Sequence, residues 1–364
     1  MARPTIVVCE GDQTGQELLE ESLRVFDPSV LGAEVELVRF DLSLGAREAT
    51  DNGVVREAAV AMRETGLGLK AATVTPPERG GVGSPNQILR RGIDGKVIVR
   101  TGRRIPGVTP IVALSYPVVV VRMAVGDAYG ALEGRDGDPG SRAEEAWRTE
   151  RIERSVCQSV AEFSFRSARS LGGLVYGGPK WTVSPTYEGM LKEEMDAAST
   201  RYPEVEYEPQ LIDATYALLI SNPGDAMVIP ALNRDGDCLS DLVLPMFGSI
   251  AGAESVLLAF DDEYDTTCAM AEAPHGTAPA LLGKDLANPL AMILACGALL
   301  RHAADRHGAD CERASRAIYE GTLETIAAGV KTPDLGGHAG TTEFTGAVVE
   351  RIATKLDVWS SLGS

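Results

Sequence analysis

Asp237 and Asp241 stand four residues apart in Asn233-Arg-Asp-Gly-Asp-Cys-Leu-Ser-Asp241. If the chain turns helical after Gly236, both carboxylates lie on one helix face. Such paired oxygens suit a hard cation, Mg²⁺ or Mn²⁺, although an isolated pair at this spacing is more often a solvated helix face. A second group is basic: Ser84-Pro-Asn-Gln-Ile-Leu-Arg-Arg91, then Arg100, then Arg122 at the end of an apolar run. Guanidinium forks grip carboxylates with two parallel hydrogen bonds, so these residues could clamp a polycarboxylate. In an acidic chain they could equally pair with surface acids. Lys180 lies in an apolar turn rich in Gly and Pro, between Tyr176 and Gly189. Partial burial there would lower an ammonium pKa and make it a proton carrier, whereas a loop lysine by default faces solvent. His275-Gly-Thr-Ala-Pro279 offers backbone donors, an imidazole and no bulky side chain. It could cradle a nucleotide or be a plain turn.

The elements that must position these groups alternate. Thr5–Val8 reads as a short buried strand, Gly11–Gly15 as a turn, and Leu18, Leu19, Leu23, Val25 and Phe26 recur at helical spacing. A helix over 54–65, a strand over Ala71–Val74 and an apolar strand over 117–121 follow. Helices are predicted over 155–170, 191–198, 211–220, from Asn288-Pro289 to about 307, and over 341–356. This pattern is that of an α/β protein. Gly134–Ser141 reads as a mobile loop, and there is no internal repeat. No GxGxxG follows a strand and no GxxxxGK[ST] occurs, so a bound dinucleotide would be held without the Rossmann fingerprint.

The 364 residues suffice for one large or two medium domains, and 44% hydrophobic content suffices for a large core. A net charge of −18 argues against nucleic acid as a partner, since phosphate binding needs a basic stripe. The longest apolar stretch, Leu286–Leu300, is shorter than a membrane span and contains Pro289. Six cysteines, at 9, 157, 238, 268, 296 and 311, form no CxxC pair, so neither a zinc site nor a disulfide framework is expected. Met-Ala-Arg-Pro leads directly into Thr5 without a signal-peptide h-region. A cytoplasmic protein is the expectation.

Taken in order, the segments resemble the isocitrate and isopropylmalate dehydrogenases, the β-decarboxylating dehydrogenases, over nearly the whole chain. The matching wording is GDQTG (11–15), KAATVTP (70–76), SPNQILRR (84–91), VVRMAVGDAY (120–129), EAWRTER (145–151), PKWTVSPTYEG (179–189), LIDATYA (211–217), NRDGDCLSD (233–241), EAPHGTAP (272–279), ANP (287–289) and TPDLGGHAGTTEFTGAV (332–348). KAATVTP, SPNQILRR and NRDGDCLSD look like eukaryote-type isocitrate dehydrogenases. EAWRTER and TPDLGGHAGTTEFT look like isopropylmalate and NAD-type enzymes. The chain departs from both at Thr14-Gly-Gln-Glu17, where the family has IGPE, and at Trp181 after the matched lysine.

The resemblance implies a two-domain α/β subunit around a large mixed sheet. A discontinuous cofactor domain would take 1–104 and 257–364. A smaller domain, 105–256, would carry the metal site and the dimer interface. It implies Asp237 and Asp241 as metal ligands of one subunit, with Asp213 and Lys180 supplied by the neighbouring subunit of a homodimer. Asp213 and Lys180 are also implied as proton carriers, with Tyr129 as a catalytic group. Arg90, Arg100 and Arg122 match the substrate arginines, and Ser84 and Asn86 the residues holding the distal group. Thr75, His275, Gly276, Thr277, Ala278, Ala280 and Asn288 match cofactor contacts. The implied reaction is metal-dependent oxidative decarboxylation of an isocitrate-type 2-hydroxy acid with hydride transfer to NAD, or to NADP.

Ser84 and Asn86 are polar and would penalise an isopropyl group. Arg91, Arg103 and Arg104 would suit a more highly charged one, which leaves homoisocitrate or a phosphonate analogue as alternatives beside isopropylmalate. The family also contains catalytically silent regulatory subunits. Here Lys180, Tyr129, Asp213, Asp237 and Asp241 are all present, which favours an active enzyme.

Overall fold

A computed structural model of the chain describes residues 3–76, 81–221 and 224–362, so Met1 and Ala2 of the N-terminal reading lie outside the described residues. Among the described residues twelve strands are formed: β1 (Thr5–Glu10), β2 (Glu36–Asp41), β3 (Leu67–Lys70), β4 (Val97–Gly102), β5 (Val118–Met123), β6 (Leu132–Asp136), β7 (Glu145–Thr149), β8 (Leu174–Tyr176), β9 (Tyr207–Glu208), β10 (Met227–Ala231), β11 (Ser255–Phe260) and β12 (Thr266–Glu272). Ten of them make one mixed sheet in the order β2-β1-β3-β12-β11-β4-β5-β10-β8-β9. The flanks are parallel, and the centre, from β12 through β11 and β4 to β5, is antiparallel.

The valine run of β5 shows why this sheet is covered on both faces. Val119, Val121 and Met123 share a core with Val156, Val160 and Phe165 of the helix Arg154–Leu171. Val118 and Val120 instead meet Leu239 and Val243 of the helix Asn233–Met246. A strand whose alternate side chains are both buried reads as a continuous apolar run. The helix Leu290–His307 is buried nearly all round, as its apolar sequence requires, and packs against Ala309–Ala327. Among the described residues no helix is long and apolar enough to cross a membrane. All six cysteines are unpaired.

Two expectations are corrected. The strand expected over Ala71–Val74 lies earlier, at Leu67–Lys70, and 71–76 continue as irregular chain. Lys70, placed inside that strand, is 2% exposed and pairs with Glu272 at 3.0 Å, a partner 202 residues away that local pattern cannot reveal. Gly134–Ser141 is not one loop. Its first part belongs to β6, which pairs with β7 in a hairpin exposed on both faces, with the Trp147 ring lying across Gly134.

Candidate functional site: a carboxylate and arginine cluster at the centre of the sheet

Antiparallel neighbours β4 and β5 carry Arg100 and Arg122, and the helix Asn233–Met246 lies over them. That helix starts at Asn233, earlier than expected, and its first turn presses on Arg122. A Cβ at Gly236 would stand 2.7 Å from the Cβ of Arg122, so only glycine permits the approach. Asp237 and Asp241 follow, one turn apart.

The cluster is then closed by side chains. Arg122, 3% exposed, donates from Nε to Asn233 Oδ1 at 2.9 Å and from Nη1 to the Asp237 carboxylate. Arg100, 8% exposed, donates from Nη1 to Ser240 Oγ at 2.8 Å and Asp241 Oδ1 at 3.0 Å, and Asp237 Oδ1 lies 3.8 Å from the same nitrogen. Tyr129 donates its hydroxyl to Asp237 Oδ2 at 2.8 Å, and the Arg122 guanidinium lies 5.4 Å from its ring centroid. Asp127 fixes the turn bearing Tyr129 by accepting from the Arg234 amide at 2.8 Å and from the Tyr187 hydroxyl at 3.0 Å. Arg90, on the helix Pro85–Gly92, joins this group, with Glu272, Asp237 and Arg100 as its charged neighbours.

Burial sets the electrostatics. It lowers the Arg122 pKa to about 10, and the like charges of Arg90 and Arg100 add to the effect against Asp237. It raises Asp241 despite Arg100. The Tyr129 phenol is pushed up to about 12 by burial and by the bond to Asp237. Burial would also raise Glu272, but Lys70 and Arg90 overcome it and hold that carboxyl low. The guanidinium groups of Arg90, Arg100 and Arg122 gather beside the carboxylates of Asp237 and Asp241, a concentration of fixed positive charge that suits an anion.

Ser84 caps the helix Pro85–Gly92, its Oγ 3.4 Å from the Asn86 amide. The side-chain oxygen of Asn86 is buried with no hydrogen-bond partner. Lys180 and Asp213 form an ion pair with each other, on a more exposed surface, and that hydrogen bond lowers the Asp213 carboxyl. Among the described residues no three His, Cys, Asp or Glu side chains gather where they could hold a metal. Within one subunit, therefore, Asp237 and Asp241 come together and Asp213 does not join them. Oxygen donors from two carboxylates, both turned toward one nitrogen of Arg100, fit a hard divalent cation that needs further ligands from elsewhere.

The loop expected to hold the cofactor is tethered at two points. Thr14 donates to the Ala278 carbonyl at 2.8 Å, where Ala278 has a left-handed backbone with φ of 43°. Glu17 accepts from the Gly283 amide at 2.9 Å. His275 meets the Gly276 carbonyl at 3.1 Å, and burial lowers its pKa. Gly276, Thr277 and Ala280 border the same loop, with Ala280 exposed. Asn288 is buried and donates to Asp334 at 2.9 Å, and Thr75 is exposed on the loop after β3.

Sequence reasoning missed Asn233, Ser240 and the Lys70–Glu272 pair, although each lies within or beside a quoted segment. No local signal marks the Lys70–Glu272 pair, because the expected strand begins only after Lys70, at Ala71. Arg103 does not extend the basic pocket. Its Nη2 donates to both carboxylate oxygens of Glu254, at 2.7 and 2.8 Å, and its guanidinium lies over Tyr319.

A mixed α/β sheet with an arginine-lined carboxylate pair defines a class of protein, and comparison narrows it. The isocitrate/isopropylmalate dehydrogenase family model matches residues 5–348. The chain is 29% identical to isocitrate dehydrogenase [NADP] of Thermus thermophilus, over 96% of this chain and 68% of that one. It is 28% identical to 3-isopropylmalate dehydrogenase of Methanothermobacter thermautotrophicus, over 95% and 98%. The crystal structure of isocitrate dehydrogenase from Methylococcus capsulatus superposes with a TM-score of 0.82 at 24% identity, over 96% of this chain and 99% of that one, a likeness of fold. The chain belongs to the isocitrate/isopropylmalate dehydrogenase family. Members of that family oxidise and decarboxylate small hydroxy acids with NAD or NADP and Mg²⁺ or Mn²⁺, and a regulatory subunit of an NAD isocitrate dehydrogenase is also among the relatives.

Proposed function

We propose that this chain oxidises and decarboxylates a 2-hydroxy acid of the isocitrate type, one whose side group is polar or anionic rather than alkyl, with NAD as the hydride acceptor. The observation that carries the reading is the meeting of Arg100, Arg122 and Tyr129 on Asp237 and Asp241. Asn86 supports the side-group choice. Its side-chain NH₂ can donate to an anionic group, whereas an alkyl group beside it would offer no acceptor, at a cost of about 1–3 kcal/mol.

In this reading Arg90, Arg100 and Arg122 bind the substrate carboxylates and orient the carbon bearing hydrogen toward the nicotinamide. A cation on Asp237, Asp241 and the partner's Asp213 would supply Lewis-acid polarisation of the hydroxyl and of the carbonyl that replaces it. Lys180 or Asp213 takes the hydroxyl proton as hydride leaves. After carbon dioxide departs, Tyr129 or Lys180 returns a proton to carbon. The Tyr129 hydroxyl, held on Asp237 with its pKa raised to about 12, is a proton donor rather than a phenolate at neutral pH.

Lys180 and Asp213 stand apart from Asp237 within one chain, which supports a homodimer with shared sites. The division into 1–104 with 257–364, and 105–256, belongs to the same proposal. Arg103 and Glu254 pair where the chain would pass between the two domains. The test is a panel of 2-hydroxy acids (isocitrate, isopropylmalate, homoisocitrate and phosphonate analogues) with Mg²⁺ and each dinucleotide. Highest kcat/KM on isopropylmalate would overturn the polar side group.

A further inference from the structure

Two described stretches lie between β3 and the helix Pro85–Gly92. One limb, 71–76, bears Thr75, and the other, 81–84, leads into Ser84. One side chain outside both limbs holds them together. Arg47, on the short helix Leu44–Ala49, is completely buried. Its guanidinium donates from Nε to the Leu42 carbonyl at 3.0 Å and from Nη1 to the Gly83 carbonyl at 3.0 Å, and Nη2 donates to the Val74 carbonyl. Asp12, from the turn after β1, lies 3.9 Å from the same guanidinium and accepts from the amides of Val74 at 2.8 Å and Leu44 at 2.9 Å. Asn52, nearly buried, donates to the Val82 carbonyl at 2.7 Å. The turn at Gly11 is pressed on the first limb so tightly that a Cβ there would stand 2.2 Å from the Ala72 carbonyl oxygen.

Burying a guanidinium is costly unless its donors are used. Arg47 spends three of them on backbone carbonyls, two of which belong to the two limbs. Those carbonyls need no arginine for the sheet to form, because they lie outside every strand. We propose that Arg47 is a positioning residue that sets the two limbs as one unit, so that the hydroxy acid and the dinucleotide are presented to each other in register. The proposal rests on the reading of Thr75 as a cofactor contact and Ser84 as a substrate contact.

The contacts predict a pattern that general destabilisation would not produce. Arg47→Lys keeps a cation near Asp12 but cannot reach three carbonyls at once. It should raise KM for both the hydroxy acid and the dinucleotide, each roughly tenfold, the loss of about one charge-assisted hydrogen bond per limb, with kcat changed much less. Asn52→Ala frees only the second limb and should raise KM for the hydroxy acid alone. Asp12→Asn weakens the hold on the Val74 amide directly and on Arg47 and the Leu44 amide at the same time, and should raise KM for the dinucleotide more than KM for the hydroxy acid. Amide hydrogen exchange on the same full-length variants reads the limbs directly. Exchange should accelerate at both limbs in Arg47→Lys, at the second limb in Asn52→Ala, and more at the first limb than at the second in Asp12→Asn. Unchanged exchange in Arg47→Lys overturns the clasp whatever the substrate. Accelerated exchange with both KM values unmoved also overturns the positioning role. A wild-type chain that turns over none of the hydroxy acids overturns the underlying reading instead, and exchange still decides the clasp. Should Arg47→Lys not fold, the Asn52→Ala and Asp12→Asn variants carry the test, and equal effects of both on both KM values count against it.

Discussion

The Tyr129 hydroxyl lies 2.8 Å from Asp237 Oδ2, while Arg122 donates to the other oxygen of the same carboxylate. One carboxylate thus holds a phenol on one oxygen and a guanidinium on the other. In the proposed function a metal ion on Asp237 would compete with both for the same oxygens, which would link the cation to the position of Tyr129.

Activity is therefore expected to depend on Mg²⁺ or Mn²⁺ and to vanish in excess chelator. Asp237→Asn should raise the Mn²⁺ concentration for half-maximal rate at least about a hundredfold, because it removes a charged ligand and frees Tyr129 and Arg122 together. Titration of rate against metal checks this, and full turnover in chelator would sink it.

Lys180 and Asp237 are expected to serve the same site from different subunits. Lys180→Ala and Asp237→Asn homodimers should each be inactive. Subunits exchanged between them should recover up to about a quarter of wild-type activity, because half the dimers are mixed and each mixed dimer has one intact site of two. No recovery, with exchange verified by mass, argues against sharing.

Ser84→Leu should shift preference toward alkyl side groups. Removing the cap at Ser84 costs the helix Pro85–Gly92 about 1 kcal/mol as well, so the comparison to make is the ratio of kcat/KM for isocitrate over isopropylmalate. An unchanged ratio places Ser84 outside that pocket.

NAD is expected over NADP with modest discrimination. Ala280 is exposed and uncharged and Glu17 caps the Gly283 amide nearby; of Lys284, Arg316 and His338, the bases that could fold back to a 2′-phosphate, Arg316 pairs with Glu320 at 2.6 Å and lies by the Trp359 ring. Ala280→Asp should sharpen the preference, since a carboxylate accepts the ribose hydroxyl and repels a phosphate. A tenfold preference for NADP, about 1.4 kcal/mol, would reverse the assignment.

Acid should weaken the fold through Glu162. Burial raises this carboxyl, but hydrogen bonds from Tyr202, Arg201 at 2.9 Å and Arg166 at 3.2 Å outweigh it and hold its pKa below the usual range. A folded pKa below the unfolded one contributes stability above the unfolded value, lost as pH falls through the folded value. Glu162→Gln should therefore cost about 1–2 kcal/mol at pH 7. The gap from wild type should close below about pH 4. Denaturant midpoints across pH measure this, and a gap independent of pH would contradict it.

What the sequence determined by itself was everything that depends on neighbours along the chain. The apolar strand through Val118–Val121, a helix over the segment bearing Asp237 and Asp241, and the placing of those two aspartates one turn apart follow from residue type and period. The family wording named Arg100, Arg122 and Tyr129, which the fold then brings onto Asp237. Only the tertiary structure decided what answers each buried charge. Lys70 belongs in a strand because Glu272 waits beside it, and Arg103 leaves the basic pocket because Glu254 and Tyr319 take it. Arg47 looks like any helical arginine until the carbonyls of Val74 and Gly83 are seen to need it. A charge can be buried only where its partners converge. Those partners lie tens to hundreds of residues away, so no local pattern announces them.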